Sequence, residues 1–218
     1  MDTSEQAAIS SRNFTHLSDY ESWASLYWLH QNGTPAAQLH ARSKLREETE
    51  ELVEALEIGN PDEIISEAGD VLWTSHASGM NADISISESL RTIFPVRFSD
   101  VSPRITQLDE LALELLAGTP AVQIGQELRG YELQLGKAAN QWFNLQEHAD
   151  VPSDTFANAY IHLKRSRAVH ALANTTLLIS YVAQEFAGVS LGDVMRENHA
   201  KIEGRLLRSE VVTKPPRP

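Results

Sequence analysis

The sequence predicts an all-α protein, a helical bundle, on three observations. Apolar residues recur at three- and four-residue steps through most of the chain. Helix stops and starts, such as Gly59-Asn60-Pro61, fall between those runs. Few segments alternate with the period of a strand.

Trp23, Leu26, Tyr27 and His30 place a first helix over Tyr20 to Gln31. A long amphipathic run from Ala36 to Ile58 ends at Gly59-Asn60-Pro61. Pro61-Asp62-Glu63 then opens a new helix, with proline at an early position and acids in the first turn. Its apolar face carries Ile64, Ile65, Ala68, Val71, Leu72 and Ala77, and it fades near Gly79. Ser87 to Phe94 reads as a short helix stopped by Pro95, and Val96 to Asp109 as a connector around Ser102-Pro103. Helical signal returns over Leu108 to Leu116, breaks at Gly118-Thr119-Pro120 and resumes from Val122 to Gln146. His148 to Ser153 is a loop. Phe156 to Phe186 follows, with a break near Ser166, then a turn at Gly188-Val189-Ser190 and a last helix from Leu191 to Leu207.

The 218 residues, 42% of them hydrophobic, suit one compact domain or two small, closely packed ones. A formal net charge of -12 argues against nucleic acid and membrane surfaces as partners. The absence of cysteine excludes disulfides and thiolate zinc sites, and a cytoplasmic location is expected. No stretch approaches a transmembrane span, and the eight histidines show no ligand spacing. Residues 1–15 and 210–218 read as flexible tails.

Internal similarity divides the remainder. Asp83-Ile84-Ser85-Ile86-Ser87-Glu88 parallels Gly188-Val189-Ser190-Leu191-Gly192-Asp193 at an offset of 105. Leu45 and Glu48 parallel Leu135 and Ala138 at an offset of 90, so about 15 extra residues fall around Glu147 to Leu163. A first repeat over 16–100 and a degenerate second repeat over 101–209 follow, as a pseudo-dimer with a four-helix-bundle core. Glu48, Glu51, Glu67 and Asp70 align with Ala138, Gln141, Leu172 and Thr175. Conversely, Asn198, Lys201 and Arg205 align with Ile93, Val96 and Asp100. One composite site per chain is expected, in a monomeric pseudo-dimer or a homodimer.

Glu48 and Glu51 share a helix face, and Glu67 and Asp70 repeat the spacing on the next helix. The short connection makes those helices antiparallel neighbours, with the two pairs within about one turn along the axis. Four carboxylates facing each other repel unless a cation lies between them. Oxygen-only ligands suit Mg²⁺, with Mn²⁺ as a substitute. Acid-rich helix faces are commonly solvated, but Glu67 and Asp70 are embedded among apolar residues, where unpaired acids are costly. Lys44 and Arg46 flank the first pair and are expected to pair along the helix with Glu48 and Glu50.

Glu47-Glu48-Thr49-Glu50-Glu51 followed by Glu67-Ala68-Gly69-Asp70 resembles the MazG-type nucleoside triphosphate pyrophosphohydrolases, an all-α group. The clear resemblance covers about residues 20–92. It implies Mg²⁺-dependent hydrolysis of a (d)NTP to the monophosphate and pyrophosphate, in nucleotide-pool house-cleaning. It further implies Glu47 or Glu51 as proton acceptor and Asn198, Lys201 and Arg205 as phosphate contacts. Trp28, Gln38 and Trp73 are the candidates for contacting the base. The alternatives are phosphoribosyl-ATP pyrophosphohydrolase, usually much shorter, a nucleotide- or metal-binding regulator without turnover, and a purely structural helical protein.

Overall fold

Local chemistry at the chain's turns sets where its helices begin and end. The computed structural model describes residues 13–28, 34–99, 102–147 and 155–207, except for the side chains of 138–147, 155–161 and 206–207. Among the described residues eight helices follow in order: α1 (Leu17–Tyr27), α2 (Pro35–Ile58), α3 (Pro61–Met80), α4 (Ile86–Ile93), α5 (Ile105–Leu116), α6 (Ala121–Glu147), α7 (Thr155–Ala187) and α8 (Leu191–Leu207). The all-α class holds, and among the described residues the only strand-like pairing is the bridge between His16 and Arg104. No described helix is long and apolar enough to cross a membrane.

The Thr34 hydroxyl accepts from Ala37 N at the start of α2, and Asn60 does the same for Asp62 N at the start of α3. Between them Gly59 takes φ 75°, a left-handed conformation natural to glycine, and its N–H closes α2 on Ala55 O. These caps fix the α2–α3 hairpin. Three expectations need correction. The first helix starts at Leu17, because Asp19 accepts from His16 N, and it ends before Trp28, which turns to extended backbone. The connector hides the start of α5 at Ile105, where Gln107 accepts from Arg104 N in the same manner. No break occurs near Ser166; α7 runs through it, since serine within a helix is no obstacle when flanking turns are satisfied. The far end of the expected first helix, the 148–153 loop, Asp100 and residues 1–12 and 208–218 lie outside the described residues. Phe14 is buried against Tyr20, Trp23 and His199, so packing reaches back to the segment ahead of α1.

Helices α2, α3, α6 and α7 form the centre, with α2 on α3, α6 on α7, and cross-contacts of α3 with α7 and α2 with α6. One continuous core of fully buried side chains, among them Leu45, Leu52, Leu72, Leu128, Leu135 and Leu172, runs through them. Helix α8 packs on α3 and α4 packs on α7.

The backbone also records a reciprocal pattern. Leu17 N donates to Pro103 O (3.0 Å) and Ile105 N donates to Thr15 O (3.1 Å), two bonds related by an offset of 88. At the same offset, Glu21 and Asp109 are buried acids that accept from the first backbone N–H groups of α4 and α8. Ser85 and Ser190 cap those two helices at an offset of 105.

Candidate metal centre

The α2–α3 hairpin aligns Glu48 with the Glu67/Asp70 face. Oxygens of Glu48, Glu67 and Asp70 all lie within 4.8 Å of one another. Glu48 and Asp70 are buried and Glu67 is half-buried. Burial, and then repulsion from Asp70, raises the Glu48 carboxyl to about 7 against the pull of Lys44. Burial also raises Glu67; Lys201 opposes that rise while Asp70 and Glu48 add to it. Three oxygen donors at this spacing, in surroundings that penalise their charge, match the demands of a hard divalent cation. Mg²⁺ fits this donor set.

The fourth expected ligand sits differently. Glu51 is exposed on the outer side of the cluster, within hydrogen-bonding reach of Glu48. Glu47 is exposed and holds Lys44 at 3.0 Å, and Lys44 also reaches Glu48 Oε1 at 2.9 Å. Lys44 therefore pairs along its own helix, as its spacing predicts. Arg46 does not take Glu50, whose carboxylate is gripped by Arg129 of α6 instead.

Helix α8 closes the other side. Asn198, 2% exposed, donates from Nδ2 to Asp70 Oδ1 at 2.9 Å. Lys201 donates to Asp70 Oδ2 and to Ser66 Oγ. This close approach depends on Gly69, where an added Cβ would lie 2.9 Å from Asn198 Cβ. Arg205, a further turn along α8, is half-buried and is not among the partners of Asp70. The structure thus brings Asn198 and Lys201 to the acids, and leaves Arg205 at the margin.

The three candidate base contacts lie toward the far end of the hairpin. Trp28 is buried with its ring 5.4 Å from Trp73, edge to face, over Ala41 and Ala77. Trp73 stays half-buried. Gln38 is buried, and its Nε2 has no hydrogen-bond partner among the described residues. Gln38 precedes Glu48 by ten residues on α2, about 15 Å along the axis, a distance on the scale of a nucleotide.

Sequence reasoning missed Tyr20 and Ser66. Ser66 precedes Glu67 on α3, and Tyr20 donates its hydroxyl proton to Asn198 Oδ1 at 3.1 Å. Neither carries a signal in the sequence, since both contacts span more than a hundred residues.

Residues 37–94 match the MazG nucleotide pyrophosphohydrolase domain. The matched span holds the α2–α3 hairpin with Glu47, Glu48, Glu51, Glu67 and Asp70, together with Gln38 and Trp73; Trp28 and all of α8 lie outside it. No curated protein and no solved structure matches the chain.

Proposed function

We propose that this chain, with a MazG nucleotide pyrophosphohydrolase domain at residues 37–94, hydrolyses a nucleoside triphosphate to the monophosphate and pyrophosphate with Mg²⁺. The observation that carries the reading is the convergence of Glu48, Glu67 and Asp70 within 4.8 Å, on the hairpin the family model matches. Mn²⁺ is the expected substitute, and house-cleaning of the nucleotide pool is the role that fits a free (d)NTP substrate.

Glu48, Glu67 and Asp70 hold the ion, with Glu51 completing the set from the exposed side. Bound there, Mg²⁺ supplies charge neutralisation for the triphosphate and lowers the pKa of a coordinated water. Glu51 or Glu47, both facing solvent at the rim, accepts the proton of the attacking water. Lys201 and Lys44 already approach the acids and are placed to turn their ammonium groups toward phosphate oxygens. Asn198 adds a neutral donor, and Arg205 extends the positive margin of α8. Trp28 and Trp73 offer ring surface for a base, and Gln38 Nε2 a donor for its edge.

The chain is read as two fused repeats sharing one site, with the acids from the first and Asn198 and Lys201 from the second. The reciprocal bonds at Leu17, Ile105, Glu21 and Asp109 support that reading. The test is pyrophosphate release across a panel of NTPs and dNTPs. Turnover should require Mg²⁺ and collapse in Glu51→Gln and Asp70→Asn. Folded, metal-loaded protein that turns over no nucleotide refutes it.

A further inference from the structure

We propose that Tyr20 is a positioning residue for the metal centre, acting through the Asn198 side-chain amide. The proposal rests on the metal-centre reading above. Tyr20 is fully buried at the base of α1, and its hydroxyl donates to Asn198 Oδ1 at 3.1 Å. The opposite face of the same amide donates from Nδ2 to Asp70 Oδ1 at 2.9 Å. The chain Tyr20–Asn198–Asp70 therefore links three helices.

The direction matters because an amide presents two different ends. If Asn198 turned over, its carbonyl oxygen would face the Asp70 carboxylate, acceptor against acceptor, while its NH₂ faced the phenol. The Asp70 carboxylate, which only accepts, disfavours that alternative, and the phenol, which can donate or accept, anchors the amide from its other end with a second bond at Oδ1. Burial, with the nearby negative charge of Asp70, pushes the phenol pKa further up, so the hydroxyl stays a donor across ordinary pH. With the amide fixed, Asp70 Oδ1 is held by Asn198 and Asp70 Oδ2 faces Lys201. Outer hydrogen bonds of this kind orient a ligating carboxylate before the ion arrives.

A packing role alone does not account for the pair. At the offsets that relate the two halves, Tyr20 corresponds to Leu108, Asn198 to Ile93 and Asp70 to Thr175. Leu108 is as fully buried as Tyr20. The related place is filled by Leu108 of the second half and Ile93 of the first, both apolar, and among the described residues the phenol–amide link occurs only beside the acidic cluster. The Gly69 contact, which lets Asn198 come down onto α3, belongs to the same side; its counterpart is Asn174.

The test is a double-mutant cycle on metal affinity in the full-length chain, without substrate. Mn²⁺ and Mg²⁺ dissociation constants are measured by calorimetry for wild type, Tyr20→Phe, Asn198→Ala and the double variant. Tyr20→Phe should weaken binding about tenfold, and should add little once Asn198 is gone. In the ion-free protein, the Asn198 NH₂ resonances should broaden or exchange faster in Tyr20→Phe, as a released amide requires. A lower melting temperature with an unchanged dissociation constant would make Tyr20 structural and overturn the proposal, as would additive effects in the cycle. A wild type that binds neither ion overturns the metal-centre reading together with this one, whereas unchanged affinity in Tyr20→Phe overturns this one alone.

Discussion

On the proposed two-repeat reading, the halves of the chain share their scaffolding and differ in what they hold. Glu21 on α1 accepts from Ile86 N (2.5 Å), Ser87 N (3.3 Å) and Ser87 Oγ (2.5 Å) at the start of α4. Asp109 on α5 accepts from Leu191 N (3.1 Å) at the start of α8 and from Ser180 Oγ (2.7 Å) within α7. Both acids are buried, and burial raises both carboxyl pKa values while hydrogen bonds pull them down. They do the same work: each pins the last helix of its half to the first by satisfying N–H groups that no helix can satisfy for itself. The positions of Asp70 and Glu67, by contrast, correspond to Thr175 and Leu172, both buried. Residues that hold the framework are matched in kind on both sides, whereas the clustered carboxylates of Glu48, Glu67 and Asp70 stand on one side only.

The largest expected effect breaks this asymmetry at its sharpest point. Asp70→Asn should lower kcat about 10²–10³-fold or more, because it removes a charged oxygen from a three-carboxylate set. Thr175→Val, at the corresponding place in the second half, should leave kcat unchanged. The Thr175 hydroxyl is buried with no hydrogen-bond partner among the described residues. Removing it should therefore raise stability by about 1 kcal/mol. Steady-state kinetics and denaturant melts on both variants check the pair. A loss of turnover in Thr175→Val would mean that the second half also contributes to chemistry.

The next effect concerns what the halves have in common. Glu21→Ala strands three donors, two of them backbone N–H groups at a helix start, and should destabilise by about 2–4 kcal/mol. Asp109→Ala strands two and should destabilise by a similar or slightly smaller amount. Urea unfolding of the two variants makes the comparison. Similar losses mean that the acids are structurally equivalent; a loss at one site alone would break the correspondence.

How much of this was legible in the sequence varies by residue. The acids of α2 and α3 announce themselves, because helical periodicity puts i and i+3 on one face and the Gly59 turn brings the helices side by side. Helix α8 was delimited correctly at Leu191–Leu207 by Ser190 and the apolar rhythm after it. The start of α5 was not, since Arg104 and Gln107 carry a capping arrangement in residue types that rarely signal one. Tyr20 and Glu21 were invisible for a different reason: in sequence they are one aromatic and one acid on an amphipathic helix. Their partners, Asn198 and Ile86, are brought to them only by the tertiary fold.

A pH-dependent difference separates the halves more finely. His76 on α3 is 3% exposed, with Nε2 3.0 Å from Ser25 Oγ, and burial lowers its pKa to about 4. The corresponding residue is Tyr181. A histidine held neutral in the fold but free to protonate when unfolded contributes stability above about pH 6.5. That stability is lost as pH falls toward 4, by about 3 kcal/mol at most. Glu48 has the opposite sign. Its raised carboxyl favours the fold below its ordinary value of 4.5, and that contribution fades as pH rises through about 7. The difference between wild type and His76→Gln, in melts from pH 7.5 to 4.5, isolates the histidine. The wild type should lose more stability across that range than the variant; parallel curves would show that His76 titrates normally.

The smallest effect is expected where the halves meet at the surface. Arg129 of α6 holds Glu50 of α2 from two nitrogens, Nε to both carboxylate oxygens at 3.0 Å and Nη2 to Oε2 at 2.6 Å, and both side chains are nearly half exposed. A two-point guanidinium–carboxylate contact across helices of different halves looks like a clamp. Solvent screens it, however, and two long side chains lose freedom in forming it. The same two helices also share a core, with Gly125 of α6 close enough to α2 that an added Cβ would lie 3.1 Å from Val53 Cγ1. Arg129→Ala should therefore lower stability by about 0.5 kcal/mol or less, and the deficit should shrink further in high salt. Thermal melts at low and high ionic strength decide it. A loss of several kcal/mol that survives high salt would mean that the ion pair, rather than the buried contact of α2 with α6, holds the two halves together.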